Sequence, residues 1–249
     1  MMRSDPGFWL ERSNLPALEI AALLGYRVAV LDMENGAIAQ DACDALVAHG
    51  RALGLIVIVR VAAPERILVQ QALDYGCDGV MLPMVRDAAH AAEVSAFSKY
   101  SPLGTRGVGS GRAFAYGAYH AVNEDLQSKA NARTRCHIMI ETAGALEEVD
   151  AIAVLPTVDG LFVGPSDLSL ARGRGAFRFT SGDEEDFRRV ARACRNHGKM
   201  LGLPAPNPRA LALAQAEGAS YVTLSDDLTA LRIGLAQGLS LLSEREEGT

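Results

Sequence analysis

The amino-acid sequence predicts an α/β protein of the (β/α)8, or TIM barrel, class, on three observations. The chain has 249 residues, and one barrel domain of this class uses about 250. Eight short apolar runs, rich in β-branched residues, have the character of strands covered on both faces. Helical patterns lie between most of these runs, which favours parallel strands joined by helical crossovers. A doubly wound open sheet is the alternative, and no linker divides residues 1–249 into more than one domain.

The elements follow one another in the order that a barrel requires. The strands are predicted at Gly7–Leu10, Val28–Asp32, Leu55–Val61, Gly79–Leu82, Arg135–Glu141, Gly160–Val163, Lys199–Leu203 and Ser220–Leu224. The helices are predicted at Pro16–Leu24, Ala39–Leu53, Pro64–Tyr75, Asp87–Ser98, Ala143–Ala153, Glu184–His197, Pro208–Glu217 and Asp227–Leu242. Prolines at helix starts fit the first turn, and glycines at helix ends accept the left-handed backbone found there. These glycines are Gly25, Gly54, Gly76, Gly198 and Gly218.

The interval from Tyr100 to Arg135 breaks the alternation. It is too long for an ordinary connection, has weak helical character, and lacks the glycine spacing of a phosphate-binding loop. We interpret it as a lid or a subunit-contact loop at the catalytic end of the barrel.

The composition narrows the classes of partner. A net charge of −6 and a pI near 5.4 argue against nucleic acid or an anionic membrane surface. No apolar run approaches the roughly 20 residues that cross a bilayer, and the first residues lack the character of a signal peptide. The four cysteines stand singly, so we expect buried free thiols and a cytoplasmic protein.

Two carboxylates at the ends of neighbouring predicted strands are the first candidate site residues. Glu141 ends the fifth strand, and Asp167 follows the sixth strand after a break at Gly164-Pro165. Ligands of barrel proteins bind at this end of the strands, and two such carboxylates suit a hard divalent cation. The alternative is that each acid only caps the N-terminus of a helix.

Arg60 is a charged residue at the end of an otherwise apolar strand. A buried guanidinium is costly unless a carboxylate, a substrate or a metal-bound anion compensates its charge. The structural alternative is a salt bridge inside the barrel to Asp32 or Glu34, and the two roles are compatible.

These residues belong to short motifs that follow one another along nearly the whole chain. The motifs are Gly7-Phe8-Trp9, Leu31-Asp32-Met33-Glu34, Val59-Arg60-Val61, Leu73-Asp74-Tyr75-Gly76, Leu82-Pro83-Met84-Val85, Pro102-Leu103-Gly104-Thr105-Arg106-Gly107, Ile140-Glu141-Thr142 and Gly164-Pro165-Ser166-Asp167-Leu168-Ser169. In this order they make the sequence similar to the HpcH/HpaI aldolases. These are metal-dependent class II pyruvate aldolases that include 4-hydroxy-2-oxoheptanedioate and 2-keto-3-deoxy sugar acid aldolases.

The resemblance implies a role for each matching residue. Glu141 and Asp167 match the family's ligands for Mg²⁺, Mn²⁺ or Co²⁺, with substrate and water completing the coordination. The backbone N–H groups of Ser166 and Asp167, just after Gly164, match those that hold the carboxylate of a pyruvate-like 2-oxo acid. Arg60 matches the arginine that steadies the enolate oxygen, before the enolate adds to an aldehyde.

The resemblance also implies assembly. Asp74 matches an acid that reaches a neighbouring subunit's site. The family forms hexamers with a swapped terminal helix, so the helix predicted at Asp227–Leu242 is expected on another protomer. Its leucines should be buried, either on the barrel or on a neighbour. They are Leu228, Leu231, Leu235, Leu239 and Leu242.

Two positions depart from the family pattern. Asn35 stands where the family has a histidine that assists proton transfer, and an amide cannot accept a proton near neutral pH. Met139 stands where the family has a glutamine that orients the substrate, and it offers only a soft apolar contact. Glu34 or His120 could serve as the base instead. His137 is interpreted as a core or subunit-contact residue.

Three hypotheses about function follow. The first is a metal-dependent aldolase or retro-aldolase that acts on a 2-oxo acid with a modified base. The second is another enolate-forming lyase, such as a β-keto acid decarboxylase. The third is a non-catalytic relative that binds a keto acid or only assembles.

Overall fold

The computed structural model describes residues 4–117 and 124–243, which fold around a closed barrel of eight parallel strands. The strands are β1 (Asp5–Leu10), β2 (Val28–Asp32), β3 (Ile56–Arg60), β4 (Gly79–Leu82), β5 (Arg135–Ile140), β6 (Gly160–Val163), β7 (Met200–Pro204) and β8 (Tyr221–Asp226). They pair in chain order, and β8 closes the barrel by pairing with β1. The predicted (β/α)8 class is therefore confirmed, and the open sheet is wrong.

Helices surround the barrel. In the described ranges they are α1 (Leu15–Leu23), α2 (Gln40–Ala52), α3 (Arg66–Asp74), α4 (Ala88–Ala96), α5 (Glu124–Arg133), α6 (Ala143–Glu147), α7 (Val149–Ala153), α8 (Pro165–Ala171), α9 (Ser181–His197), α10 (Pro208–Ala216) and α11 (Asp227–Ser243). The helix predicted at Ala143–Ala153 is two helices separated at Glu148. Neither α5 nor α8 is among the predicted helices.

Glycine ends five of the helices, as the sequence indicates. The five predicted glycines have φ angles between 65° and 93°, a backbone conformation that other residues adopt only with strain. Thr180 begins α9 with a capping box, because its side chain accepts from the backbone N–H of Asp183 while Asp183 accepts from the backbone N–H of Thr180. These local signals set the helix ends, and packing against the strands stabilises the helices.

The alternation of side chains along each strand decides which residues face the barrel interior. An apolar cluster fills that interior: Val28, Val30, Ile58, Met81, Met139, Phe162 and Tyr221. The other face of the strands packs against the helices in a second and larger cluster. Every second residue of a strand points inward, so two positions beyond Val30, Ile58 and Met139 stand Asp32, Arg60 and Glu141. The sequence period thus brings these three charged residues to the C-terminal end of the interior.

The leucines of the terminal helix α11 are not buried on the barrel. Its first residue, Asp227, is buried, but the leucines beyond it are between 39% and 69% exposed. These are Leu228, Leu231, Leu235 and Leu239. Of the two alternatives, burial of the leucines on their own barrel is therefore excluded. The side chain of Leu242 lies outside the described residues, and burial on a neighbouring copy stays a prediction.

Two expectations from the composition agree with the structure. All four cysteines are buried and free, and burial raises the pKa of Cys43 and of Cys136 to about 12, so these thiols stay protonated. None of the described helices combines the length and the apolar character that crossing a membrane requires.

Candidate active site

Arg60 lies at the centre of a buried ion-pair network at the C-terminal end of the barrel. Its Nε and Nη2 donate to the two carboxylate oxygens of Asp32, over 2.9 and 2.5 Å, and its Nη1 lies 2.6 Å from Oε2 of Glu34. Burial alone would raise the pKa of Asp32, but the hydrogen bonds and the charge of Arg60 hold that pKa below its usual value. Both salt bridges that the sequence offers are present, and they fix the guanidinium in one orientation.

Asp32 is in turn held from two sides. The backbone N–H groups of Glu34 and Asn35 donate to its Oδ1 over 2.9 and 3.1 Å. The indole Nε1 of Trp9 donates to Oδ2 over 3.1 Å, and the guanidinium of Arg60 lies 5.1 Å from the centre of the same indole. Trp9 is therefore a site residue to which the sequence assigned no role.

Glu141 is a buried carboxylate with one oxygen that has no partner among the described residues. It is 1% exposed, its Oε1 accepts from the backbone N–H of Met84 over 2.6 Å, and its Oε2 has no hydrogen-bond partner. Burial raises the pKa of Glu141 to about 7, against the lowering effects of the Met84 N–H and of Arg60. The charges of Glu34 and Asp167 raise this pKa further. A buried oxygen in this state calls for a cation, a proton or a water molecule.

Asp167 and Ser166 lie in the first turn of α8, where backbone N–H groups have no acceptor within the helix. Both residues are exposed. Gly164 precedes them, and a Cβ at its position would lie 2.6 Å from Oε2 of Glu141 and 2.9 Å from Cε of Met139. The missing side chain at Gly164 therefore makes the space in which Glu141 faces the turn that carries Asp167.

The alternative reading of the two acids as helix N-caps is wrong. Thr142 is the N-cap of α6 and accepts from the N–H of Ala145, while Gly164 is the N-cap of α8. Glu141 precedes the first cap and Asp167 follows the second, so neither side chain serves a helix end in this way.

Not all of the sequence-predicted residues come together. Asp74 ends α3, shortly before β4 begins, and therefore lies towards the opposite end of the barrel, where it pairs with Arg106 over 3.3 Å. His137 is 1% exposed inside the barrel, which confirms it as a core residue. His120 lies outside the described residues.

Comparisons with known proteins identify the family of the chain. The sequence profile of the HpcH/HpaI aldolase/citrate lyase family matches residues 6–232. The chain belongs to this family. It is 32% identical over 244 residues to a 4-hydroxy-2-oxovalerate aldolase of Novosphingobium aromaticivorans, covering 96% of this chain and 90% of the relative. It is 34% identical over 230 residues to a 2-keto-3-deoxy-L-rhamnonate aldolase of Klebsiella pneumoniae, covering 89% and 82%.

A solved structure of the family matches the whole barrel. A HpcH/HpaI aldolase/citrate lyase family protein from Burkholderia cenocepacia superposes with a TM-score of 0.87 at 30% identity, covering 97% of this chain and 95% of that one. Family membership and the names of the relatives support an aldolase-type lyase.

Asn35 and Met139 each contact the Arg60 network, Asn35 through its backbone and Met139 through its sulfur. Asn35 is exposed, and the hydrogen bond described for it comes from its backbone N–H. Met139 is 6% exposed, and its Sδ lies 3.9 Å from Nη1 of Arg60. Glu34, the other described residue considered as a base, is paired with Arg60. These three positions therefore hold an amide, a thioether and an ion-paired acid.

Proposed function

We propose that this chain is a divalent-metal-dependent carbon–carbon lyase, an aldolase or retro-aldolase that acts on a 2-oxo acid through its enolate. The observation that carries the proposal is that Oε2 of buried Glu141 has no partner among the described residues, close enough to Asp167 and to the clamped guanidinium of Arg60 for their charges to act on it. An acidic pair and a fixed cation at one barrel end suit a reaction in which negative charge develops on a substrate oxygen.

The residues present fit a divalent cation. Glu141 and Asp167 would hold it, because carboxylate oxygens are the ligands that Mg²⁺, Mn²⁺ and Co²⁺ accept. Within the described ranges, no group of three His, Cys, Asp or Glu side chains is placed to bind a metal by itself. The two acids would therefore leave coordination positions for the substrate and for water. When bound, the cation would polarise the keto group of the 2-oxo acid and make its neighbouring carbon acidic.

Backbone and side-chain groups of the protein would bind the substrate and stabilise the enolate. The N–H groups of Ser166 and Asp167, following Gly164, would hold the substrate carboxylate at the start of α8. Arg60 would donate to the enolate oxygen, and Asp32 would keep its guanidinium from rotating away. A preorganised donor of this kind loses little orientational freedom during the reaction, which is why its effect on the barrier is large.

A second candidate function is the decarboxylation of a β-keto acid, because this reaction needs no residue that accepts a proton from the substrate. Removing a proton from the methyl group of pyruvate needs a positioned acceptor. Asn35 cannot be that acceptor, Met139 is a thioether, and Glu34 is held by Arg60. Loss of carbon dioxide from an oxaloacetate-like acid reaches the same enolate without any such step. Among the described residues, Arg60 and Glu141 would therefore stabilise the enolate, whereas Asn35, Met139 and Glu34 are poorly suited to form it by proton transfer.

An exposed apolar surface supports the assembly of several copies of this chain. The exposed leucines of α11 lie beside exposed Ile20 of α1 and Leu24, which follows α1, and together they form an apolar surface that a second copy would cover. We propose a homohexamer with a swapped terminal helix. Asp74, which lies far from its own barrel's Arg60, would then act at a neighbour's site.

The test compares the parent with Glu141→Gln and Asp167→Asn, which remove one charge each while keeping the shape. Calorimetric titration with Mn²⁺ measures metal binding, and deuterium wash-in at the pyruvate methyl and oxaloacetate consumption measure enolate formation. Both variants should lose metal binding and both reactions, whereas Glu93→Gln on the outer helix α4 should keep them. Parent-level activity of Glu141→Gln in the presence of chelator would refute the metal site. Metal binding without either reaction would favour the non-catalytic relative.

A further inference from the structure

A cavity opens beside the Arg60 site at the same end of the barrel. It has a volume of about 360 Å³, which lies within the usual range of roughly 300–1,000 Å³ for small-molecule pockets. The ends of β1, β6, β7 and β8 form it, whereas Asp32, Arg60 and Glu141 come from β2, β3 and the end of β5. We call it the acceptor cavity; the residues that define it here are Trp9, Glu11, Phe162, Ser166, Phe177 and Asp226.

Two residues join the acceptor cavity to the Arg60 site. The indole of Trp9 lines the cavity, donates to Asp32 and lies against the guanidinium of Arg60. Ser166 also lines the cavity and is the chain neighbour of Asp167. A molecule in the cavity therefore lies next to whatever the Arg60 site holds.

The cavity combines apolar walls with negative charge. Phe162, Phe177 and Trp9 supply aromatic surface, Glu11 and Asp226 supply carboxylates, and its lining contains no lysine, arginine or histidine. Burial raises the pKa of Glu11, and the carboxylates of Asp226, Asp32 and Asp227 raise that pKa further. These carboxylates raise the energy of any further negative charge in the cavity.

The backbone around both carboxylates is fixed. The N–H of Glu11 donates to the buried Asp227 over 2.9 Å, and Asp226 accepts from the N–H of Thr229 over 2.7 Å at the start of α11. Asp226 therefore also caps a helix, a task that asparagine performs equally well. This makes Asp226→Asn a change of charge that keeps the local structure.

We propose that the acceptor cavity binds the aldehyde partner of the 2-oxo acid and selects short, uncharged, hydroxylated aldehydes against aldehydes that carry a carboxylate. The carboxylates accept hydrogen bonds from the aldehyde's hydroxyl groups, and the aromatic walls contact its carbon chain. This inference rests on the proposed function. In the addition, the enolate carbon bonds to the aldehyde carbon while the carbonyl π pair moves to the aldehyde oxygen, which takes a proton from water. Cleavage is the reverse.

The first experiment measures the charge of the cavity without any catalysis. Trp9 is the one tryptophan of the chain, so its fluorescence reports on this place alone. Quenching by iodide, an anion, is compared with quenching by neutral acrylamide at constant ionic strength. Glu11→Gln and Asp226→Asn should each raise the iodide quenching constant about 2-fold or more and leave acrylamide quenching unchanged. Glu93→Gln on α4 should change neither. Iodide constants equal to that of the parent would overturn the proposal.

The second experiment measures selectivity with two aldehydes of matched size. Glycolaldehyde carries a hydroxyl group where glyoxylate carries a carboxylate oxygen pair. Each variant should raise the ratio of kcat/KM for glyoxylate to that for glycolaldehyde by about 2-fold to 30-fold, the range for one charge about 8 Å away at effective dielectric constants of about 80 and about 20. The intrinsic reactivities cancel in this comparison. An unchanged ratio would overturn the inference alone. If the parent gives no addition, no methyl exchange and no decarboxylation, the proposed function fails and this inference with it.

Discussion

Replacing His137 with phenylalanine should remove much of the protein's loss of stability in mild acid. The ring of His137 is 1% exposed, and its Nδ1 has no partner among the described residues. It packs edge-on against the ring of Tyr221, with ring centres 5.6 Å apart. Burial of a charged imidazolium outweighs the attraction of the Asp159 carboxylate, so the folded protein holds the neutral ring.

The size of the effect follows from the pKa. Burial lowers the pKa of His137 from 6.5 to about 4. Between these values the unfolded chain binds a proton that the folded chain does not, so stability is fully present above pH 6.5 and falls as the pH falls. At about 1.4 kcal/mol for each pH unit, the whole loss is about 3 kcal/mol, and about 2 kcal/mol of it is reached by pH 5.

Urea unfolding followed by circular dichroism at pH 7, 6 and 5 measures this loss. Protein concentration is held fixed because assembly changes apparent stability. The free energy of unfolding of the parent, relative to His137→Phe, should fall by about 2 kcal/mol from pH 7 to pH 5. Tyr221→Phe removes the neighbouring hydroxyl but keeps the imidazole, so it should follow the parent. Parallel curves for the parent and His137→Phe would refute the assignment of a neutral, buried imidazole.

Three further predictions concern the site and the assembly. Gly164→Ala puts a Cβ 2.6 Å from Oε2 of Glu141, so Mn²⁺ binding measured by calorimetry should be lost and enolate formation should fall about 100-fold, with unchanged circular dichroism. Asn35→His should raise deuterium wash-in at the pyruvate methyl by about 10²-fold or more, and should raise oxaloacetate decarboxylation less. Wash-in unchanged by this substitution would mean that another residue already supplies the base. Leu231→Asp with Leu239→Asp should give smaller particles by light scattering, whereas assembly equal to the parent's would exclude α11 from the subunit contact.

The strands could be predicted because their signal is local. A buried parallel strand must be apolar on both faces, so each of the eight shows as a short run whose ends differ from the structure by at most two residues. The helix α5 could not be predicted in the same way. Of its ten residues, Glu124–Arg133, seven are polar and the others are one leucine and two alanines, so no apolar stripe marks a helix. The seven residues of α8 are too few to show a helical period.

Some residues of the candidate site could likewise be predicted from the sequence, and others could not. Asp32, Arg60 and Glu141 could be predicted because each is a charge that ends an apolar strand at the same end of the barrel. Trp9 and Met84 could not, because their roles depend on contacts across the barrel. Met84 has a φ of 52°, unusual for a residue with a side chain, and this conformation brings its N–H to Glu141. Their place in the motifs Gly7-Phe8-Trp9 and Leu82-Pro83-Met84-Val85, near strand ends, was the available signal.

Trp9 joins the Arg60 site to the acceptor cavity. Its indole N–H donates to Asp32, the guanidinium of Arg60 lies over its ring, and the residue also lines the cavity that contains Glu11. The ion pairs of Arg60 lie within β2, β3 and the turn after β2, so changes in β7 or β8 leave the guanidinium in place. The same fold can therefore accept different residues around the cavity without disturbing the group that stabilises negative charge, but a change at Trp9 alters both at once.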